Sequence, residues 1–226
     1  GTLALEPLTA NTSVGVGTGS GTLVFGAGLF SGSSRVFGDG FSSITIGSST
    51  AGAITVGGAN TFTDSVTLLT GGSLTLNSAA SISDTQTDGY IALAAGGNFI
   101  NNARASALTT TGTSGRWLVY LTSPTALVTD GGLNSANAPV WGQSYATQAP
   151  SAVAVNGNRY VFGSNATLSV TSNSVTKVYG NTSVTASSVL GLSSGASGTT
   201  VFTTPAWADV FSVLPTINST GLAATA

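Results

Sequence analysis

The sequence predicts an all-β chain: a right-handed parallel β-helix (solenoid) followed by a small β-sandwich or β-grasp-like repeat. Three observations carry this prediction. Short apolar–polar–apolar triplets recur from Ser43 to about Ile100, and glycine-rich corners separate them. No window shows the roughly 3.6-residue apolar period of a helix.

The triplets, in order, are Ile44-Thr45-Ile46, Ile54-Thr55-Val56, Val66-Thr67-Leu68, Leu74-Thr75-Leu76 and Ile91-Ala92-Leu93. A period of two turns the outer pair to one face of a strand and the middle residue to the other, and β-branched Thr fits an extended, half-exposed position. Between them lie Gly47-Ser48-Ser49, Gly57-Gly58-Ala59-Asn60, Gly71-Gly72 and Gly96-Gly97-Asn98, residues suited to sharp corners. The triplets start 10, 12, 8 and 17 residues apart, and the last gap has room for one more strand around Ile82. Strands this short at this rhythm fit successive sides of a coil in which each turn stacks on the one before. A sandwich of hairpins also yields short strands at such spacing, but the two-residue Asn-Gly or Asp-Gly hairpin signal does not recur between the triplets.

Upstream, Thr22-Leu23-Val24-Phe25 and the glycine-rich stretch to Gly40 read as earlier or irregular coils. Downstream, Arg116-Trp117-Leu118-Val119-Tyr120 is a denser, aromatic strand. The solenoid is therefore expected over residues 1–122. Pro124, Gly131-Gly132, Pro139 and Pro150 mark 123–157 as a loop-rich boundary. A C-terminal β repeat is expected over 158–226, with strands at Arg159–Phe162, Thr167–Val170 and Val175–Tyr179.

Composition narrows the function classes. Of 226 residues, 41% are hydrophobic and only 5% charged, against a usual charged share of about 25%. Ser, Thr, Asn and Gly fill the polar positions, giving a neutral, hydroxyl-coated surface that tolerates close lateral packing, as in a fibre or cell-surface layer. No apolar run approaches the ~18–20 residues that span a bilayer. The basic residues Arg35, Arg104, Arg116, Arg159 and Lys177 are scattered, which disfavours nucleic acid as a partner. Cysteine is absent, so there are no disulfides and no thiolate metal sites. The chain starts Gly1-Thr2-Leu3, so any export signal is expected to have been removed or to lie upstream.

The run Phe41-Ser42-Ser43-Ile44-Thr45-Ile46-Gly47, with Gly52-Ala53-Ile54-Thr55-Val56, Thr61–Leu68 and Gly72-Ser73-Leu74-Thr75-Leu76, resembles the late β-helical part of filamentous haemagglutinin-type exoproteins of two-partner secretion. Gly115–Tyr120 followed by Pro124, and Trp141-Gly142-Gln143-Ser144-Tyr145, resemble the segment that closes that region. From Asn158 through Lys177-Val178-Tyr179-Gly180 to Ala226 the pattern is similar to the Tyr-Gly β repeats that follow it in tandem. Such repeats would carry another strand beyond Ala226, so the last repeat is expected to be incomplete here or completed by strand addition from a neighbour. The resemblance implies a long extracellular rod or fibre used in adhesion, aggregation or biofilm formation. It implies no catalytic residues.

Chemistry-bearing residues are few. With no His, Cys or Met, the usual nucleophile triads and zinc sites are excluded. Carboxylate pairs remain, as in polysaccharide-cleaving β-helices, but Glu6, Asp39, Asp64, Asp84, Asp88, Asp130 and Asp209 are mostly isolated and several sit in turn contexts. Asp84-Thr85-Gln86-Thr87-Asp88-Gly89 has the opening spacing of a calcium loop, yet Gln occupies a ligand position and the closing Glu is missing. Trp117, Tyr120, Trp141, Tyr145, Tyr160 and Trp207 would serve as sugar platforms if exposed, and as core or seam filling if buried. Arg116 is expected to stack on a ring or to pair with an acid such as Asp130. Asn11, Asn165, Asn181 and Asn218 open glycosylation-type triplets that chance explains in so Asn-, Ser- and Thr-rich a chain.

The expected function is therefore an extracellular or bacterial cell-surface structural and adhesive segment, self-associating through tandem β repeats or filaments, with host or matrix glycan or protein as further partners. No enzyme activity, catalytic residue, cofactor or metal is expected. The rivals are a carbohydrate-binding module and a β-helical polysaccharide-degrading enzyme.

Overall fold

The computed structural model describes residues 1–136, 138–166, 168–172 and 188–192. Helix among them is limited to single 3-10 turns at Ala27–Leu29, Pro124–Ala126 and Pro150–Ala152. The chain divides into two compact units, with Gly1–Asn165 in the first and Ala166–Ser194 in the second.

The first unit is a solenoid-like stack of parallel strands. Its opening round contains β1 (Thr2–Leu5), β2 (Val14–Gly17) and β3 (Leu23–Phe25). The next rounds are β4 (Ser43–Ser48), β5 (Ile54–Gly57) and β6 (Ala59–Phe62), then β7 (Val66–Thr70), β8 (Leu74–Leu76) and β9 (Ser81–Thr87). They are followed by β10 (Tyr90–Ala95), β11 (Phe99–Asn101) and β12 (Leu108–Thr111), and then β13 (Arg116–Leu121) and β14 (Leu127–Thr129). β15 (Val140–Trp141) and β16 (Arg159–Phe162) are the unit's last described strands. From β4 to β14 the strands visit three sheets in rotation. Sheet A has the order β1-β4-β7-β10-β13-β16-β15, sheet B β14-β11-β8-β5-β2-β3, and sheet C β12-β9-β6. Every pairing in this unit is parallel, which rules out the sandwich of hairpins for these residues.

The register shows why the triplets fold this way. Ile44, Val66, Ile91 and Trp117 are direct partners across sheet A, as are Ile46, Leu68, Leu93 and Val119. Val14, Ile54, Leu74, Phe99 and Leu127 form the matching row of sheet B. All of these are buried in one continuous core. Each fully buried aliphatic side chain is worth about 1.5–3 kcal/mol, and a slip of one residue would turn a whole row outward. The corner from β5 into β6 runs through Gly58 at φ +64°, a left-handed conformation that glycine adopts without penalty.

The insertion between β2 and β4 lays β3 against β2 and sends Phe30 into the core, where its ring lies 4.8 Å from that of Phe62. Phe30 is 2% exposed.

Two departures from the sequence reading concern the outer face and the C-terminal boundary. Thr45, Thr55 and Thr75 are half-buried, as the triplet pattern predicts, but Thr67, Ala92 and Leu118 are buried on the outward side of sheet A. Ala92, Ala94, Leu118, Tyr120, Val153 and Val161 form a second, smaller cluster there, with Val140 and Tyr145 packed against it. The segment around 140–155, read from sequence as boundary loop, thus straps the outside of sheet A. Arg159–Phe162, assigned from sequence to the C-terminal repeat at 158–226, instead lies beside β13 in sheet A, with Tyr160 and Phe162 in the main core.

The second unit contains β17 (Leu168–Ser172) and β18 (Ser188–Leu192), which pair antiparallel. The predicted strand at Val175–Tyr179 and the tail to Ala226 lie outside the described residues, as do the sandwich or β-grasp assignment and the incomplete last repeat that rested on them.

Candidate functional site

The outer face of sheet A is the surface that the fold shapes most. Its rows run Thr45, Thr67, Ala92, Leu118 and Arg159, and beside it Gly47, Leu69, Ala94, Tyr120 and Val161. Leu118, Tyr120 and Val161 put large apolar side chains on this face, so the later strands need a cover. Arg116 fastens that cover: its guanidinium donates to the carbonyls of Pro150 (2.6 Å), Val153 (3.0 Å) and Val155 (2.9 Å). Its partners are backbone carbonyls, so neither the ring stack nor the Asp130 pair expected from sequence forms. Asp130 instead caps its own turn by accepting from the Gly132 amide.

Replacing Arg116 with alanine should release the strap. Each hydrogen bond to a charged group contributes about 1.5–3 kcal/mol in favourable cases, and a loss of about 2 kcal/mol is expected overall because carbonyls on a released strap would regain water. Limited proteolysis should then cut within 142–157 first. An unchanged digestion pattern would show that packing, not Arg116, holds the segment.

A groove of about 400 Å³ opens where the strap meets the ends of the sheet A strands. Leu69, Gly71, Ala94, Gly96, Tyr120 and Tyr145 line it, together with the hydroxyl-bearing residues Ser49, Thr122 and Ser144. The two tyrosine rings meet edge to face at 5.5 Å. The Tyr120 hydroxyl is buried without a partner, and burial pushes its phenol above the ordinary range. It is therefore a neutral donor at any working pH.

The remaining aromatic candidates are mostly core. Trp117 and Tyr160 are 3% and 0% exposed and meet edge to face at 5.4 Å, while Trp141 lies half-buried against Phe162 at 5.1 Å. Trp207 lies outside the described residues. Of the six aromatics named from sequence, only Trp141 and Tyr145 present partly open rings among the described residues.

The acids separate in the same way. Glu6, Asp39 and Asp88 are exposed, and Asp88, at φ +59°, accepts from the Ser114 amide as a turn residue. Asp209 lies outside the described residues. Asp64, in the corner from β6 into β7, and Asp84, within β9 on the next round, are each 1% exposed. Asp64 Oδ1 accepts from the Gly40 amide and Asp84 Oδ1 from the Gln86 amide, while both Oδ2 atoms are buried without a partner. Burial, reinforced by the nearby Asp64 charge and opposed by the Gln86 amide, pushes the Asp84 carboxyl up to about 6. The Gln86 side chain in turn accepts from the Ser65 amide and hydroxyl, and Ser65 accepts from the Tyr90 amide, so the corner is one connected network. The calcium-loop spacing does not become a site: Asp84 points inward, Asp88 outward, and no group of three or more acidic side chains gathers among the described residues.

Sequence reasoning missed the strap, the groove and the burial of Asp84. The doubly apolar runs Tyr90–Ala95 and Arg116–Leu121 were the available signal, because a strand apolar on both faces needs covers on both. Of the glycosylation-type asparagines, Asn11 and Asn165 are exposed, while Asn181 and Asn218 lie outside the described residues. No helix among the described residues is long and apolar enough to cross a membrane. The chain matches no protein-family model, no curated protein and no solved structure.

Proposed function

We propose that the chain is an extracellular structural and adhesive segment of a bacterial surface or secreted fibre, of the filamentous haemagglutinin type, whose parallel stack winds as a closed right-handed β-helix. The observation that supports this reading is the parallel register that aligns buried side chains from round to round in sheets A, B and C. A stack of this kind transmits load through many parallel hydrogen-bonded rungs, while its neutral, hydroxyl-rich exterior lets copies lie side by side. Self-association into filaments through β repeats is the form of assembly that the composition favours.

Displaying the whole chain on a non-adherent bacterium tests the reading. Cells carrying it should clump and settle faster than cells carrying an unrelated display scaffold. Equal settling, with surface expression verified, would remove the adhesive role, and sedimentation velocity showing only monomer at high concentration would remove the filament form.

A further inference from the structure

We infer that the groove beside Tyr145 binds a short, neutral, extended oligosaccharide lying along the stack direction. The inference goes beyond the fibre reading and does not depend on it, since a scaffold needs no ligand groove.

Three features of the groove select this chemistry. The first is period. The groove takes residues from four successive rounds, at Ser49, then Leu69 to Gly71, then Ala94 to Gly96, then Tyr120 to Thr122. Paired strands repeat every ~4.7–4.9 Å, close to the length of one pyranose unit in an extended glycan, whereas same-side residues of an extended peptide repeat every ~6.6–6.8 Å. A linear sugar chain therefore sets about one unit beside each round, and a peptide drifts out of phase.

The second feature is charge. No acidic or basic residue lines the groove, so a uronate or sialate would forfeit its hydration without gaining a cation.

The third is the division of the lining into a bare floor and a hydroxyl border. Gly71 and Gly96 keep the floor low because a Cβ at either would run into the backbone of the preceding round. Beside them, Leu69 and Ala94 are apolar, and Ser49, Thr122 and Ser144 are hydroxyl-bearing residues of the lining, the Ser144 hydroxyl being already bonded to Thr147. A pyranose is divided likewise, with a C–H face and a hydroxyl edge. The half-buried ring of Tyr145 offers the platform for a terminal unit. The volume of about 400 Å³ lies at the lower end of the ~300–1,000 Å³ usual for small-molecule sites, which suits two or three sugar units with part of the ligand left in solvent.

The test is a titration of the full chain with cellotriose, followed by amide NMR shifts, with trigalacturonate as the charged equivalent and the neutral apolar dye N-phenyl-1-naphthylamine as the competing chemistry. Saturable binding of cellotriose in the millimolar range, with shifts centred on residues 69–71, 94–96 and 144–146, supports the site. Ser49 is exposed, so S49W should fold normally while filling the groove from its border, and it should weaken binding by about tenfold or more; Y145A should do so through loss of the platform. Failure of cellotriose to saturate, equal binding of trigalacturonate, or binding of the dye alone would each overturn the proposal. Unchanged cellotriose affinity in a folded S49W would overturn its location. None of these results bears on cell settling, so the failure of this proposal and that of the fibre reading are distinguishable.

Discussion

Phe62→Ala is expected to lower the unfolding free energy by about 3–5 kcal/mol, measured from the midpoint of chemical denaturation with an unchanged slope. Phe62 is fully buried, ends β6, and packs its ring on Phe30, which enters from the insertion that follows β3. Truncation would therefore open a cavity and detach the insertion from the stack at the same time. Since domains of this kind hold only about 5–15 kcal/mol in total, one side chain would remove a large share. The neighbour of Phe62 across the sheet is Asp84, so water entering the cavity would also hydrate that carboxyl and bring it back toward its ordinary range. A loss below about 1 kcal/mol would mean that Phe30 relaxes into the space and that the insertion stands independently of β6.

The second large effect is a fall in stability as pH rises. The Asp84 carboxyl is raised in the folded chain from 3.8 to about 6, so the folded state holds a proton that the unfolded state has released. The stabilisation from that proton is complete below the unfolded value and is lost as pH climbs through the folded one. The window thus lies between about pH 4 and pH 6–7, and a loss of about 2–3 kcal/mol is expected across it, from 1.36 kcal/mol per pKa unit. Burial accounts for the direction; the Asp64 charge adds a smaller repulsion, Tyr90 is neutral, and among the described residues no basic side chain pairs with either acid. Asp84→Asn keeps the shape and the acceptor for the Gln86 amide but cannot ionise. Its melting temperature should be nearly flat over that window and higher than that of the parent at pH 8. A parent whose stability is constant between pH 4 and 8, or an Asn variant as pH-sensitive as the parent, would show that the corner admits enough water to leave Asp84 unstrained.

The sequence disclosed the parts of this fold that use aliphatic pairs and concealed the parts that use anything else. Ile44 and Ile46, Ile54 and Val56, and Leu74 and Leu76 alternate cleanly, and each became a strand with its pair inside. β6 was hidden because one of its two inward residues is Asn60, whose amide nitrogen donates to the carbonyls of Gly57, Gly58 and Ser81. In sequence Gly57-Gly58-Ala59-Asn60 reads as a corner throughout, although the strand begins at Ala59. β11 carries inward Asn101 in the same manner, bonded to the carbonyls of Arg104 and Asp130. A polar residue inside breaks the alternation that makes a strand readable, and its hydrogen bonds become visible only once the neighbouring round is in place. The groove was hidden for a different reason. It is made by residues from four rounds and a strap, and no local spacing records that they meet.

The position of β15 sets the order in which this unit can be built. From β4 to β13, every strand of sheet A lands on a neighbour that precedes it in the chain. β15 is the exception: its partner among the described residues is β16, which is synthesised later and must slide into the gap beside β13. A polypeptide emerging amino end first can therefore settle strand by strand as far as β14, and then has to wait until Phe162 is out. Over that interval Leu118 and Tyr120 lack both their lateral partner and a fixed cover, and this is the stage at which a nascent chain is most open to a chaperone or to another copy of itself.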